Sequence, residues 1–143
     1  MKRQKTYLFK NTVFKKGDES AKTIFSGPRE LEVGPAPEFN GNPETLNPEE
    51  MFVAAVNNCL MTTFFYFVRK FDVEILSYYS DAEGQVEKGK DGFRFTTVQI
   101  RAKVMLSNHG FAEKVREFGN LAEKYCLVSR SLACPVRYHL EIG

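Results

Sequence analysis

The sequence predicts an α+β fold in which a mainly antiparallel sheet is wrapped around one long central helix. Three observations indicate this class. The stretch from Met51 to Val68 contains no charged residue and follows a helix start signal. Segments rich in β-branched and aromatic residues lie on both sides of that stretch in the chain. A second, amphipathic helical pattern comes late in the sequence, so strands and helices are not in strict alternation.

A length of 143 residues is typical of one domain with a substantial core. We therefore expect a single domain over residues 1–143. Residues 1–46 supply N-terminal strands and a proline-rich loop, residues 47–71 the central helix, and residues 72–143 further strands and the C-terminal helices.

The composition argues against a nucleic-acid partner and favours a cytoplasmic location. The formal net charge is only +2, which is too small to suggest a nucleic-acid-binding protein. Lys2, Arg3 and Lys5 are expected to form a solvated end rather than a basic arm. There are three cysteines, and residues 1–10 lack the apolar segment of a signal peptide. Few cysteines in odd number favour a reducing cytoplasm.

The first part of the chain predicts three strands and a loop. Strands are expected over residues 5–14, 22–26 and 29–33, with the first two forming a hairpin around a turn at residues 16–20. The Gly27–Pro28 pair is expected to interrupt the second strand. Residues 34–45 contain three prolines and are expected to be a loop without regular structure.

The central helix has clear signals at both ends. Asn47 is the expected N-cap, Pro48 fits the first helical position, and Glu49 and Glu50 suit the positive end of the helix dipole. We expect the helix to end near residue 70 or 71. Its uncharged stretch of 18 residues is near the lower limit for a membrane span, but four polar residues near its centre favour a core helix, namely Asn57, Asn58, Thr62 and Thr63.

A helix that is apolar on every side must be covered on every side. One small sheet gives too little cover, and a second copy of the chain is the simplest source of the rest. We therefore expect a homodimer.

The last part predicts two long antiparallel strands, two helices and a final strand. The strands are expected over residues 74–86 and 92–106, joined by a turn at residues 88–92. An amphipathic helix follows over residues 111–125, then a short helical segment over 126–132 and a strand over 136–142.

The three thiols are Cys59, in the middle of the central helix, and Cys126 and Cys134 near the end of the chain. Their spacing is not that of a Cys-x-x-Cys clip, and the two histidines stand alone, so we expect no metal site. An isolated cysteine is most often a small buried apolar residue. The residues alone therefore leave open whether Cys59 is inert or reactive.

Glu49 lies on the same helix face as Cys59, ten residues earlier. Ten residues of helix rise about 15 Å, so Glu49 cannot touch the Cys59 of its own helix. If both serve one site, a partner subunit must supply one of them, or a basic side chain must bridge them. Either arrangement favours a site at a dimer interface.

Two motifs together resemble the OsmC/Ohr family. The first is Asn47–Pro48–Glu49 with Cys59 ten residues after the glutamate, and the second is Cys126-x-Val128-Ser129-x-x-Leu132 after an amphipathic helix. The resemblance implies an intertwined α+β homodimer with two sites at the interface. It also implies a thiol peroxidase with Cys59 as peroxidatic thiol, Cys126 as resolving thiol and Glu49 holding an arginine that activates Cys59.

The chain departs from that pattern at three points. The first hairpin turn carries Lys16 where the family's peroxidases have the arginine, so Lys16 and Arg29 are the candidate activating cations. Leu127 stands where the family usually has proline, and Cys134 is an additional thiol. These features resemble a less characterised branch of the family.

The chemistry implied is reduction of organic hydroperoxides, alkyl or fatty-acid, to alcohols. Cys59 would become a sulfenic acid, Cys126 would condense with it, and an external dithiol would reduce the disulfide, with no other cofactor. Two alternatives remain open: a non-enzymatic dimer that binds a hydrophobic small molecule, and a redox-sensing stress protein with little turnover.

Overall fold

The computed structural model describes residues 4–27 and 29–143. The chain divides into two compact units, Met1–Met51 and Phe52–Gly143. Lys2, Arg3 and Pro28, for which the sequence suggests a solvated end and an interrupted strand, lie outside the described residues.

The first unit contains a three-stranded antiparallel sheet of β1 (Thr12–Phe14), β2 (Ala21–Ile24) and β3 (Glu30–Val33), in that order. The predicted hairpin is confirmed, with Val13 paired to Thr23. The first strand is much shorter than the predicted 5–14. Residues 4–11 have no strand partner, and their apolar side chains lie in solvent, with Phe9 91% exposed.

The proline-rich loop is more ordered than predicted. Pro37–Phe39 forms a 3₁₀ turn that ends at Asn40 in the left-handed conformation. The backbone then doubles back, and a Cβ on Gly41 would collide with the carbonyl of Pro35, so only glycine fits there. A parallel bridge between Val33 and Leu46 closes the loop.

The central helix, α1, runs from Pro48 to Lys70, which confirms both predicted ends. The Asn47 side chain accepts a hydrogen bond from the Glu50 backbone N–H at 2.8 Å, as an N-cap does. At the other end Asp72 is left-handed (φ 53°), and the Val73 N–H donates to the Val68 carbonyl at 3.1 Å. This pattern is a Schellman motif with aspartate in the place usually taken by glycine.

The second unit contains a sheet of β4 (Ile75–Gly89), β5 (Gly92–Leu106) and β6 (Val136–Ile142), with β5 in the middle. The β4–β5 pair is antiparallel as predicted, whereas β6 runs parallel to β5. Parallel neighbours need a crossover connection. Here that connection carries α2 (Ala112–Tyr125) and the four-residue α3 (Leu127–Arg130).

The core of the second unit lies between α1, α2 and one face of the sheet. Its fully buried members include Val56, Leu60 and Phe64 from α1 and Phe118 from α2. Along β5, buried and exposed side chains alternate from Val98 to Leu106, so the chain itself covers only one face of this strand.

The residues that the structure describes cover only one side of α1. A stripe at three- and four-residue spacing is exposed, formed by Ala55, Asn58, Thr62, Tyr66 and Arg69. In length and composition α1 also suits a membrane-spanning helix, and 28% of its most apolar window is buried. The opposite side is packed into the core, as in the core helix of a soluble protein.

Candidate functional site

Cys59 lies near the middle of α1 and is half-buried. Its sulfur is 4.0 Å from the Thr63 hydroxyl oxygen, one helical turn later. That hydroxyl donates to the Cys59 carbonyl at 2.7 Å, and the Thr62 hydroxyl donates to the same carbonyl at 3.1 Å. The helix therefore holds this residue with two side-chain contacts of its own.

Cys126 lies at the junction of α2 and α3 and is completely buried. The α2 helix ends there because the Cys126 backbone is extended. The backbone conformation at this junction therefore sets the position of the thiol. The Ser129 hydroxyl donates a hydrogen bond to the Cys126 sulfur at 3.2 Å.

The structure brings Cys59 and Cys126 together. Burial raises the pKa of the Cys126 thiol, and the neighbouring Cys59 side chain raises it further, whereas Ser129 lowers it through its hydroxyl and its backbone N–H. Burial has the largest effect, so Cys126 is a neutral thiol at neutral pH. Both are free thiols, in reach of each other across 67 residues of sequence.

Cys134 is also a free, buried thiol, in the connection that leads into β6. It belongs to the same apolar core as Cys126. No hydrogen bond joins it to either of the other thiols within the described part of the chain, which is what a small buried apolar residue would show.

The other site residues that the sequence suggests are in the first unit or at its border. Glu49 is half-buried in the first turn of α1 and forms no ion pair in the described ranges. Lys16 is exposed in the turn after β1. Arg29 is exposed as well, and its guanidinium donates to the Ser26 carbonyl at 3.0 Å. All three remain candidates on sequence grounds.

No basic side chain contacts either thiol in the part of this chain that is described. The side-chain partners of Cys59 are Thr63 and Cys126, and those of Cys126 are Ser129 and Cys59. Any activating cation must therefore come from outside these contacts. Across residues 4–27 and 29–143 there is also no cluster of three or more His, Cys, Asp and Glu side chains arranged to hold a metal.

An open cavity of about 780 Å³ lies along the second half of α1. Neither thiol lines it, but Thr63, which contacts the Cys59 sulfur, is part of its wall, and so is Tyr125, which directly precedes Cys126. Its aromatic lining also includes Tyr66 and Phe71, and two basic residues, Arg69 and Lys70, lie among the lining residues. The cavity thus combines an aromatic wall with two cationic groups.

Sequence reasoning did not assign a role to two residues that contact the thiols. Ser129 was visible only as part of a motif, and Thr63 only as a polar residue in an apolar helix. The signal for Thr63 is its spacing of four residues from Cys59, which places a hydroxyl over the preceding turn. Ser129 lies three residues after Cys126, and at the start of a helical turn this spacing places its hydroxyl next to the Cys126 sulfur.

The family model for OsmC-like proteins matches residues 41–141. The chain belongs to the OsmC-like protein family. The match includes α1, both long strands, the crossover connection and all three thiols of this OsmC-like chain. The resemblance seen in the two motifs is thereby confirmed.

Solved structures of this family share the fold. An OsmC-like protein of unknown function from Vibrio cholerae superposes with a TM-score of 0.84 at 22% identity, over 94% of this chain and 99% of that one. An organic hydroperoxide resistance protein from Legionella pneumophila gives 0.73 at 18%, over 98% and 99%. A hydroperoxide resistance protein from Elizabethkingia anophelis gives 0.75 at 16%, over 99% of both chains.

These identities are low enough that they establish the fold and not the activity of this OsmC-like protein. A search among curated proteins finds no match. The α+β fold expected from the sequence is confirmed, and the family includes organic hydroperoxide resistance proteins.

Proposed function

We propose that this OsmC-like protein is a thiol-dependent peroxidase that reduces organic hydroperoxides to alcohols. The observation that carries the proposal is the neighbouring pair of Cys59 and Cys126, two free thiols with different surroundings. Cys59 is half-buried, so a substrate can reach it, whereas Cys126 is completely buried. A peroxidatic thiol must be accessible to its substrate and close to a resolving thiol, and Cys59 meets both conditions.

The reaction proceeds in two steps on the protein. The Cys59 thiolate attacks one oxygen of the hydroperoxide, the O–O bond breaks, and the departing alkoxide takes a proton to become the alcohol. Cys59 is left as a sulfenic acid. The Cys126 sulfur then attacks the Cys59 sulfur, the hydroxyl leaves as water, and a Cys59–Cys126 disulfide forms. An external dithiol reduces it.

The aromatic cavity along α1 supports an organic substrate over hydrogen peroxide. Aromatic walls bind an alkyl or fatty acyl group by removing its surface from water, and Thr63 joins that wall to Cys59. Hydrogen peroxide has no apolar part to place there. The proposed substrates are therefore alkyl or fatty-acid hydroperoxides.

We further propose that the working form is a cytoplasmic homodimer with its sites at the interface. Exposed apolar side chains support a second copy, because such surface is rarely left in water; they are Tyr66 of α1 and Tyr7, Leu8 and Phe9. A partner would also supply the missing cation. Lys16 or Arg29 of the partner subunit, held by a glutamate at position 49, would then stabilise the Cys59 thiolate.

The test is turnover of cumene hydroperoxide or t-butyl hydroperoxide with dithiothreitol as the reductant. We expect consumption by the wild-type protein and none by Cys59→Ser. Cys134→Ser is the matched control, since it removes a thiol of the same core and should keep activity. Equal consumption by wild type and Cys59→Ser would contradict the proposal.

The cavity also favours one alternative, a non-enzymatic dimer that binds a hydrophobic small molecule. Native mass spectrometry of the purified dimer would then show a retained apolar ligand, and Cys59→Ser would retain it equally. A third role, a redox sensor, would show formation of the disulfide with negligible turnover.

A further inference from the structure

We propose that Ser129 directs the reductive half of the cycle: its hydroxyl stabilises Cys126 as the leaving thiolate while the external dithiol attacks the sulfur of Cys59. The inference rests on the proposed function, because it concerns the Cys59–Cys126 disulfide. Membership of the family does not specify which of the two sulfurs the reductant attacks.

Access decides which sulfur is attacked. An attacking thiolate must approach one sulfur of the disulfide directly. Cys126 is 0% exposed in the single chain, whereas Cys59 is only half-buried, so part of its side chain is open to solvent. Assembly with a partner can only add cover, so Cys126 stays closed to the reductant in any oligomer.

Attack at Cys59 makes Cys126 the leaving group. A leaving thiol departs faster when its pKa is lower, yet burial raises the pKa of Cys126. The negative charge that develops on this buried sulfur therefore needs a donor. The Ser129 hydroxyl donates to it at 3.2 Å, and a hydrogen bond to a charged atom is stronger than one to a neutral atom.

The step balances without any further group. The reductant's thiolate forms a bond to the Cys59 sulfur, the Cys59–Cys126 bond breaks, and its electron pair remains on Cys126. Cys126 then takes up a proton from solvent. The second thiolate of the reductant attacks the reductant's own sulfur in the mixed disulfide and releases Cys59 as a thiolate. The protein disulfide gains two electrons, and the dithiol is oxidised to a disulfide.

The residue that caps the end of α3 offers a matched control. Ser131 is exposed and donates its hydroxyl to the Leu127 carbonyl at 2.8 Å, without a hydrogen bond to a thiol. Replacing Ser131 or Ser129 removes one serine hydroxyl from this segment. Only the replacement of Ser129 removes a donor from Cys126.

The experiment follows reduction of a disulfide that is formed in the full-length protein by diamide, so it needs no peroxidase turnover. Dithiothreitol is mixed in, and free thiols are counted over time. We expect Ser129→Ala to slow reduction about ten-fold, because a hydrogen bond to a developing charge is lost. Ser131→Ala should match wild type.

A pair of isosteric variants separates the hydroxyl from packing. Ser129→Thr and Ser129→Val have the same shape, but only threonine retains the donor. We expect the threonine variant to be reduced about ten times faster than the valine variant, while hydroperoxide oxidises Cys59 equally fast in both. Equal reduction rates in the two variants would overturn the role of Ser129.

The site of attack is read separately with glutathione, a monothiol that stops at the mixed disulfide. After a quench with N-ethylmaleimide, peptide mass spectrometry should find glutathione on Cys59 and N-ethylmaleimide on Cys126. Glutathione mainly on Cys126 would refute the inference, and so would failure of diamide to form the disulfide. A protein that passes these tests but does not consume hydroperoxides refutes only the peroxidase proposal.

Discussion

Gly84 of β4 lets the central helix and the second sheet approach each other closely. A Cβ at this position would lie 2.6 Å from a methyl group of Val53 and 2.8 Å from the ring of Phe95. Neither neighbour can move aside easily. Val53 is β-branched and stiff, and the Phe95 ring is stacked on Phe52 with centroids 4.2 Å apart.

We therefore predict that Gly84→Ala destabilises the protein by about 1–3 kcal/mol through overpacking. Urea unfolding followed by circular dichroism measures the change. Gly89→Ala is the control, because the nearest atom to its Cβ would be 3.8 Å away. A Gly84→Ala variant as stable as Gly89→Ala would show that this contact relaxes freely.

Single residues were foreseen from the sequence where their signal is local. Asn47 was identified as the cap of α1, and Cys59 and Cys126 were identified as the thiols of interest. The role of Gly84 was not visible, since it depends on Val53 and Phe95, which are distant in the chain. A contact across the fold leaves no pattern in its own neighbourhood.

At the scale of elements, a pair of tyrosines joins the two edge strands of the second sheet. The hydroxyls of Tyr78 in β4 and Tyr138 in β6 are 2.7 Å apart. Both side chains are on the covered face, where Phe64 lies against the Tyr78 ring. The contact crosses β5, so it ties together strands that share no backbone hydrogen bond.

This pair predicts a loss of stability in alkali. Burial raises the pKa of Tyr138 far above its ordinary value of 10.0, and burial also raises that of Tyr78. Because the folded state holds these protons more tightly, their contribution to stability is complete below about pH 10. It is lost as the pH rises from there towards the folded-state values.

The free energy of unfolding, measured in urea between pH 8 and 11, should therefore fall above about pH 10. Replacing both tyrosines by phenylalanine should flatten that fall, because no buried hydroxyl is left to ionise. Tyr7→Phe serves as the control, because Tyr7 is exposed, and it should give the same dependence on pH as the wild-type protein. An unchanged fall in the double variant would assign the alkaline loss to other groups.

Elements with strong local signals were predicted to the residue. The helix from Pro48 to Lys70 has an N-cap and a charged last turn, and β5 and β6 alternate cleanly. The first strand was predicted over 5–14 but forms only over Thr12–Phe14, because the earlier residues have no strand to pair with among residues 4–27 and 29–143. The parallel direction of β6 was missed for the same reason, since pairing is not a local property.

For the whole molecule, the proposed disulfide predicts that oxidation stabilises the fold. A link between Cys59 and Cys126 closes a loop of 67 residues, which lowers the entropy of the unfolded chain and adds about 4 kcal/mol. The oxidised protein should therefore melt at a higher temperature than the reduced protein in a calorimetric scan.

Cys126→Ser should show no difference between oxidising and reducing conditions, whereas Cys134→Ser should retain the wild-type difference. If Cys134→Ser loses the shift and Cys126→Ser keeps it, the disulfide joins a different pair. Strain in the bond would make the shift smaller than the entropy term alone.

The incomplete cover of α1 could be predicted from the sequence. A helix that is apolar on every side needs more cover than one small sheet gives, and Tyr66 of α1 is 53% accessible.

The central place of β5 has a consequence for how the second unit exchanges its amide hydrogens. Its backbone is paired on both edges, and its inward side chains from Val98 to Leu106 are buried. Deuterium should enter this strand only when the unit opens as a whole, whereas short helices such as α3 exchange by local opening. The exchange rate of β5 thus provides a reference for opening of the whole unit. Faster uptake at residues 127–130 than at 98–106 would measure how often the surroundings of Cys126 open while the fold remains intact.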